Sequence, residues 1–163
     1  MIKRFFSLLS VIALFLAAIA VGSGLTEARS PQINKVSADG ISHTTFSVSG
    51  KATGLAGDFT YEVTVIGGSV TANVDCINPG NNNVQAQATA AAAAAGTTGP
   101  VVAQQNGNLN FEFTGTLSIG SNPCPNPNWT PVITSYSGTV TIALFDFTTG
   151  ALLDTEMLSI SFP

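Results

Sequence analysis

Beyond residue 30 the hydrophobic positions recur every second residue, the period of a strand with one buried face. Phe46 and Val48 alternate with Thr45, Ser47 and Ser49, and Phe59, Tyr61, Val63 and Val65 with Thr60, Glu62 and Thr64. Val70, Ala72, Val74 and Cys76 stand against Thr71, Asn73 and Asp75, which puts Cys76 on the apolar face. Leu109, Phe111 and Phe113 alternate with Asn110, Glu112 and Thr114, and Leu117 and Ile119 keep the parity past Gly115. Val140, Ile142 and Leu144, then Leu158, Ile160 and Phe162, complete the series. No long stretch of this region carries the 3.6-residue stripe of an amphipathic helix.

Turn chemistry separates the runs. Asp39-Gly40 and Asn106-Gly107 favour the positive φ angles of tight hairpins, so each predicts a turn. Residues 54–58, Gly67-Gly68 and Thr149-Gly150 predict further breaks. Eight or nine short strands at this spacing predict an all-β fold, an antiparallel two-sheet sandwich of immunoglobulin-like form. A closed barrel has the same periodicity and stays open. Two segments depart from the pattern. Residues 86–95 are almost all alanine, which favours helix by propensity, yet residues 84–89 alternate like a strand. The expectation there is a strand running into a low-complexity loop that ends near Pro100. Residues 120–131 hold Pro123, Pro125, Pro127 and Pro131, which predicts an extended loop.

The first residues have another character. Lys3 and Arg4 precede an almost unbroken apolar run over residues 5–21, and small residues follow. That order is that of a cleavable secretory signal, with cleavage after Ala20 or Ala28 and an uncleaved anchor as the alternative. Residues 1–28 are read as the signal peptide and 29–163 as a single domain. No cysteine precedes Cys76, so there is no site for a lipid-modified cysteine near the cut. The protein is therefore expected outside the cell, without a stable membrane anchor once the signal is removed.

Charge narrows the partners. Charged residues make up only 9% of the chain, against about 25% in ordinary globular proteins. Beyond Ala28 the cations are Arg29, Lys35 and Lys51, and residues 52–163 contain none. Nucleic-acid binding needs clustered cations and is excluded on that ground. Two cysteines, Cys76 and Cys124, in an exported domain read as one disulfide.

Cys76-Ile77-Asn78-Pro79-Gly80-Asn81, followed by Cys124-Pro125-Asn126-Pro127-Asn128-Trp129-Thr130, resembles a group of small secreted bacterial proteins. That group carries Cys-x-Asn-Pro-Gly-Asn and Cys-Pro-Asn-Pro-x-Trp-Thr elements. The resemblance spans about residues 37–162 and implies export, the disulfide and the fold; it implies no activity. The alanine tract departs from the group, whose members have a more varied segment there.

No catalytic set stands out. His43, the only histidine, lies in a Thr/Ser-rich run read as strand, which leaves no multi-histidine metal site. The acids of the mature part are Asp39, Asp58, Glu62, Asp75, Glu112, Asp146, Asp154 and Glu156. A pair for glycoside hydrolysis would come from these, with Asp58, Asp75, Asp146 and Asp154 the four to watch. Most occupy turn or solvent-facing positions, and Asp146 between Phe145 and Phe147 marks a hairpin end. No cofactor is indicated; a calcium site of loop oxygens stays open. Trp129 is either a packing plug over the disulfide or a stacking platform for a sugar. Asn128, Trp129 and Tyr136, with Tyr61, form the candidate binding surface. The expected role is a non-enzymatic structural, adhesive or envelope-associated module, with a carbohydrate-binding module as the alternative and a two-carboxylate enzyme behind both. The expected partners are a second copy, through poorly guarded strand edges, or a glycan.

Overall fold

The computed structural model describes residues 30–163, and residues 1–28, read from the sequence as a signal peptide, lie outside them. Eight strands form: β1 (Gln32–Ser42), β2 (Thr45–Thr53), β3 (Thr60–Asn78), β4 (Asn83–Ala95), β5 (Val101–Val102), β6 (Leu109–Ile119), β7 (Thr130–Asp146) and β8 (Leu152–Phe162). All pair antiparallel in one continuous sheet, in the order β1-β2-β6-β4-β3-β7-β8, with β5 beside the first part of β3. The all-β antiparallel fold is as the period of two predicted, and the one disulfide joins the two cysteines as their count implied. The facing layers are not separate sheets, because β6 and β4 join them through the pairs from Ala92–Ile119 to Ala95–Thr116. The sheet rolls until its two edges meet, so the sandwich is a nearly closed barrel.

The alternating residues fill the inside. Phe46, Val48, Val63, Ala72, Val140, Ile142 and Leu144 have no solvent exposure, and Tyr61, Val70, Val74, Leu109, Phe111, Phe113, Leu117, Leu158 and Ile160 pack around them. Burying one such side chain stabilises by about 1.5–3 kcal/mol. Phe59 leaves the pattern: it precedes the strand and is exposed.

Four expectations are corrected. Asp39-Gly40 is not a turn: both residues lie inside β1, opposite Ser47 and Phe46, and the chain reverses at His43-Thr44. Gly40 is needed for close approach, since a Cβ there would lie 2.2 Å from the Ser161 carbonyl oxygen on β8. His43 accordingly sits in a turn and not in a strand. Gly67-Gly68 does not end a strand either, because β3 passes through it with a bulge between Val65 and Gly67. The alanine tract is strand to Ala95. β3 pairs with it as far as Ala92 and β6 takes over from there, so ladder pairing overrides alanine's helical preference. Ala90, Ala92 and Ala94 pack against the core while Ala91, Ala93 and Ala95 face outward.

Elsewhere the turn chemistry is as read. Gly107 takes φ 73° and Gly150 φ 71°, the left-handed backbone that glycine adopts without a Cβ penalty. Residues 120–129 form the proline-rich loop between β6 and β7, shorter than expected, because Thr130 and Pro131 already belong to β7, where Pro131 stands opposite Cys76. The disulfide pins it: Cys76 on the inner face of β3 and Cys124 are bonded, with Cα atoms 5.7 Å apart.

Candidate functional site

Below the barrel's rim β4, β3 and β7 run on together as a three-stranded extension, with the register Thr89–Asn73–Ser135 and, one step along, Gln87–Asp75–Val132. The period of two turns Asn73, Asp75, Gln87 and Thr89 outward. A bulge on β7 then adds Thr134 between Ser135 and Ile133, the residues paired with Asn73 and Val74. Bulges re-aim side chains and bend the strand that carries them. The result is a shallow depression of about 600 Å³ lined by Asn73, Asp75, Gln87, Thr89, Thr134 and Ser135.

Its hydrogen bonds are short and local. Asn73 Nδ2 donates to Ser135 Oγ at 2.7 Å, Gln87 Nε2 to Asp75 Oδ1 at 3.2 Å, and Thr134 Oγ1 to the Asn73 carbonyl at 3.3 Å. From the β1–β2 turn, His43 Nδ1 lies 2.6 Å from the Thr134 carbonyl. That oxygen can only accept, so Nδ1 carries the proton. The depression thus offers hydroxyl and amide groups with one carboxylate, a set that matches the hydroxyls of a neutral polar ligand. A second hollow of about 500 Å³ lies between the His43-Thr44 turn, the end of β6 and the start of β7, and Leu117, Ile119, Pro131, Val132 and Ile133 make it mainly apolar.

The expected binding surface does not assemble. Tyr136 is 2% exposed and its hydroxyl donates to the Thr45 carbonyl at 2.6 Å, while its ring stacks on Phe162. Burial pushes that hydroxyl's pKa above the ordinary 10.0. Tyr61 is likewise buried, with its hydroxyl bonded to the backbone of Ala56. Both rings belong to the core. Asn128 and Trp129 stay together on the proline loop, Asn128 exposed and Trp129 half-buried. Asn126 and Asn122 shape that loop: Asn126 Oδ1 accepts from Asn128 N–H, and Asn122 Nδ2 donates to the Trp129 carbonyl at 2.9 Å. Trp129 is outside the buried core cluster.

Asp146, Asp154, Glu62 and Asp75 have structural partners, whereas Asp58 is exposed on the loop before β3. Asp146 Oδ1 accepts from the N–H groups of Thr148 and Thr149 at 2.9 and 2.8 Å, and the Thr149 bond above all holds its carboxyl below the ordinary 3.8. This is the hairpin-end role read from the sequence. Asp154 Oδ2 accepts from Ile33 N–H at 2.7 Å, and Glu62 Oε1 from Thr97 Oγ1 at 2.6 Å. Among the described residues no three of His, Cys, Asp and Glu gather as a metal site would require, and no helix is long and apolar enough to cross a membrane.

Sequence reasoning missed the depression. Alternation does place Asn73, Asp75, Gln87 and Thr89 on a solvent face, and the Asn78-Pro79-Gly80 turn joins β3 to β4, but no local signal announces the bulge at Thr134.

No family model matches the chain, and no curated protein matches it. Among solved structures it is similar to Bacteroides uniformis beta-glucuronidase, with 15% identity and a TM-score of 0.32 over 82% of this chain and 13% of that one. A calcium-binding mutant of Bacteroides uniformis beta-glucuronidase 2 gives 14% identity and a TM-score of 0.34, over 82% and 13%. The chain spans a small part of those proteins, and scores at this level transfer neither fold nor activity.

Proposed function

We propose that the protein is a non-enzymatic module of the cell exterior, structural or adhesive in role, whose outer face presents hydroxyl and amide groups in place of charge. One observation carries this reading: the side chains with the most chemical potential are engaged in holding the fold. Tyr61 and Tyr136 fasten the core, Asp146 closes a hairpin, and Asp154 binds the opposite sheet edge. Export rests on the Lys3-Arg4 and apolar leader pattern, with which the Cys76–Cys124 bridge agrees. The test is turnover by the purified mature protein on a panel of glycosides, esters and peptides. Activity that is present in the wild type and lost in Asp75→Asn or Asp146→Asn would overturn the proposal; a flat response across the panel agrees with it.

The depression over the β7 bulge supports a second reading, recognition of a neutral glycan. Asn73 and Ser135 would hydrogen-bond sugar hydroxyls there, and Thr134, lifted by the bulge, would add another contact. A glycan array identifies the ligand, and titration of its best hit checks the site. Asn73→Ala with Ser135→Ala should weaken that binding about tenfold, the loss of one or two hydrogen bonds. An unchanged affinity removes the depression from consideration.

A further inference from the structure

We infer that β4 is an assembly edge, and that residues 86–91 pair antiparallel with the same residues of a second copy of this chain. The argument begins with a mismatch of lengths. β3 pairs with β4 from Asn83 to Ala92 on one side, whereas β6 reaches β4 on the other side only from Ala92 to Ala95. β6 ends at Ile119 and the chain leaves along the proline loop. Among the described residues, no strand pairs the far side of residues 83–91. Every second residue of that stretch directs its N–H and C=O away from β3, as the antiparallel ladder requires. A bulge at Gln85, unpaired between Val84 and Ala86, disturbs the first part. Residues 86–91 run on as a regular strand.

The edges at β1, β8 and β7 are occupied or blunted. β1 and β8 lie against each other: Asp154 takes the Ile33 N–H, and the Ser161 carbonyl sits against Gly40. β7 extends beyond the end of β8, but Pro131 has no N–H to offer there and His43 engages the Thr134 carbonyl. Among the described residues, β4 from Ala86 to Ala91 carries none of the devices that discourage edge pairing, which are charge, proline and cover. Residues 76–111 contain no charged side chain at all. A chain of net charge −4 therefore meets its copy through a neutral strand, without like-charge repulsion.

A second copy fits this edge better than a foreign segment does. An antiparallel strand pair is self-complementary about a two-fold axis, so one edge supplies both halves of the contact. Outward Ala91 and Thr89 and half-buried Ala86, Ala88 and Ala90 leave the backbones free to approach. Apart from the depression that Gln87 and Thr89 line together with β3 and β7, they form no side-chain pockets of the kind that select an unrelated peptide. Because the two-fold contact uses the same edge of both copies, it closes as a dimer and does not propagate into a fibre.

The test is sedimentation of the mature protein across concentration, combined with amide hydrogen exchange. A monomer–dimer equilibrium is expected, with amides of residues 86–91 exchanging more slowly in the dimer. Thr89→Lys, on the exposed face, sets like charges near each other across the two-fold axis. It should raise the dimer dissociation constant by about fivefold or more at an unchanged melting temperature. Ala88→Pro and Thr89→Pro form a second pair: one removes a donor of the β3 ladder and lowers stability, the other removes an outward donor and weakens only the dimer. A strict monomer at millimolar concentration overturns the inference. So does a dimer that survives all three substitutions, or protection of residues 86–91 in a monomer, which would place other residues of the same chain on that edge.

Discussion

At the scale of single residues, the core is set by where the chain omits a side chain as much as by where it places one. Gly115 continues the inward parity of Phe111 and Phe113, and a Cβ there would lie 2.2 Å from Cζ of the fully buried Phe46. Gly115→Ala therefore overpacks the centre and should cost about 1–3 kcal/mol, read as a lower denaturant midpoint at an unchanged slope. Tyr136 shows the opposite economy, a polar atom inside the core with its partner in place. Tyr136→Phe takes the donor from the Thr45 carbonyl and should cost about 0.5–1.5 kcal/mol. Burial raises the Tyr136 pKa in the folded state above 10.0. That contribution is fully present below pH 10 and is lost as pH rises through the folded value. The phenylalanine variant should accordingly lose less stability on going to strong base. Asp146 has the reverse sign. Its carboxyl lies below 3.8 because Thr149 and Thr148 donate to it, so its contribution is present above that value and lost as pH falls through the folded one. Asp146→Asn should flatten the acid limb of the stability curve, measured by thermal melts from neutral pH downward.

At the scale of elements, strands were readable wherever alternation and burial agree. Val70, Ala72, Val74 and Cys76 are all buried as their parity requires, and Leu109, Phe111, Phe113 and Leu117 repeat the agreement. Breaks were harder to read, because glycine has more than one use. Asp39-Gly40 carries hairpin chemistry, but the glycine serves the approach of β8, a partner more than a hundred residues away in the chain. Residues 90–95 hide their state for a related reason: alanine carries no pattern, and the ladder with β3 and β6 makes them strand. The candidate site was less legible than the fold. Tyr136 is expected at the surface, yet it keeps the inward parity of Val140, Ile142 and Leu144, so alternation itself assigns it to the core; what leaves no trace in composition is the bulge at Thr134, which turns Ile133 inward beyond it. The disulfide is the element-scale feature with the most testable energetics. It closes a separation of 48 residues, for which chain entropy gives about 4 kcal/mol. Cys76→Ser with Cys124→Ser should lower stability by up to about that amount. Amides of the proline loop should lose protection before those of the β3–β7 ladder.

At the scale of the molecule, closure follows from counting directions. Six antiparallel pairings connect the seven strands from β1 to β8, and an even number of reversals brings the last strand back to the direction of the first. The two edges must therefore meet parallel. The contacts agree: Ile33 faces Asp154 and Gly40 faces Ser161, both in the same sense along the chain. β1 and β8 share no ladder among the pairings that build the sheet, so the seam relies on inner side chains and on Asp154. Half-buried at the start of β8, Asp154 takes the Ile33 N–H that the missing ladder would have used. A charged side chain on an edge strand also discourages a foreign strand from adding there, so one residue both closes the seam and guards it. Asp154→Ala should cost about 1 kcal/mol, and its effect should be local. Amides of β1 should exchange faster while those of β3 and β7, paired along nearly their whole length, keep their protection. If β3 and β7 lose protection in step with β1, the seam is not a separate opening unit, and the barrel opens only as a whole.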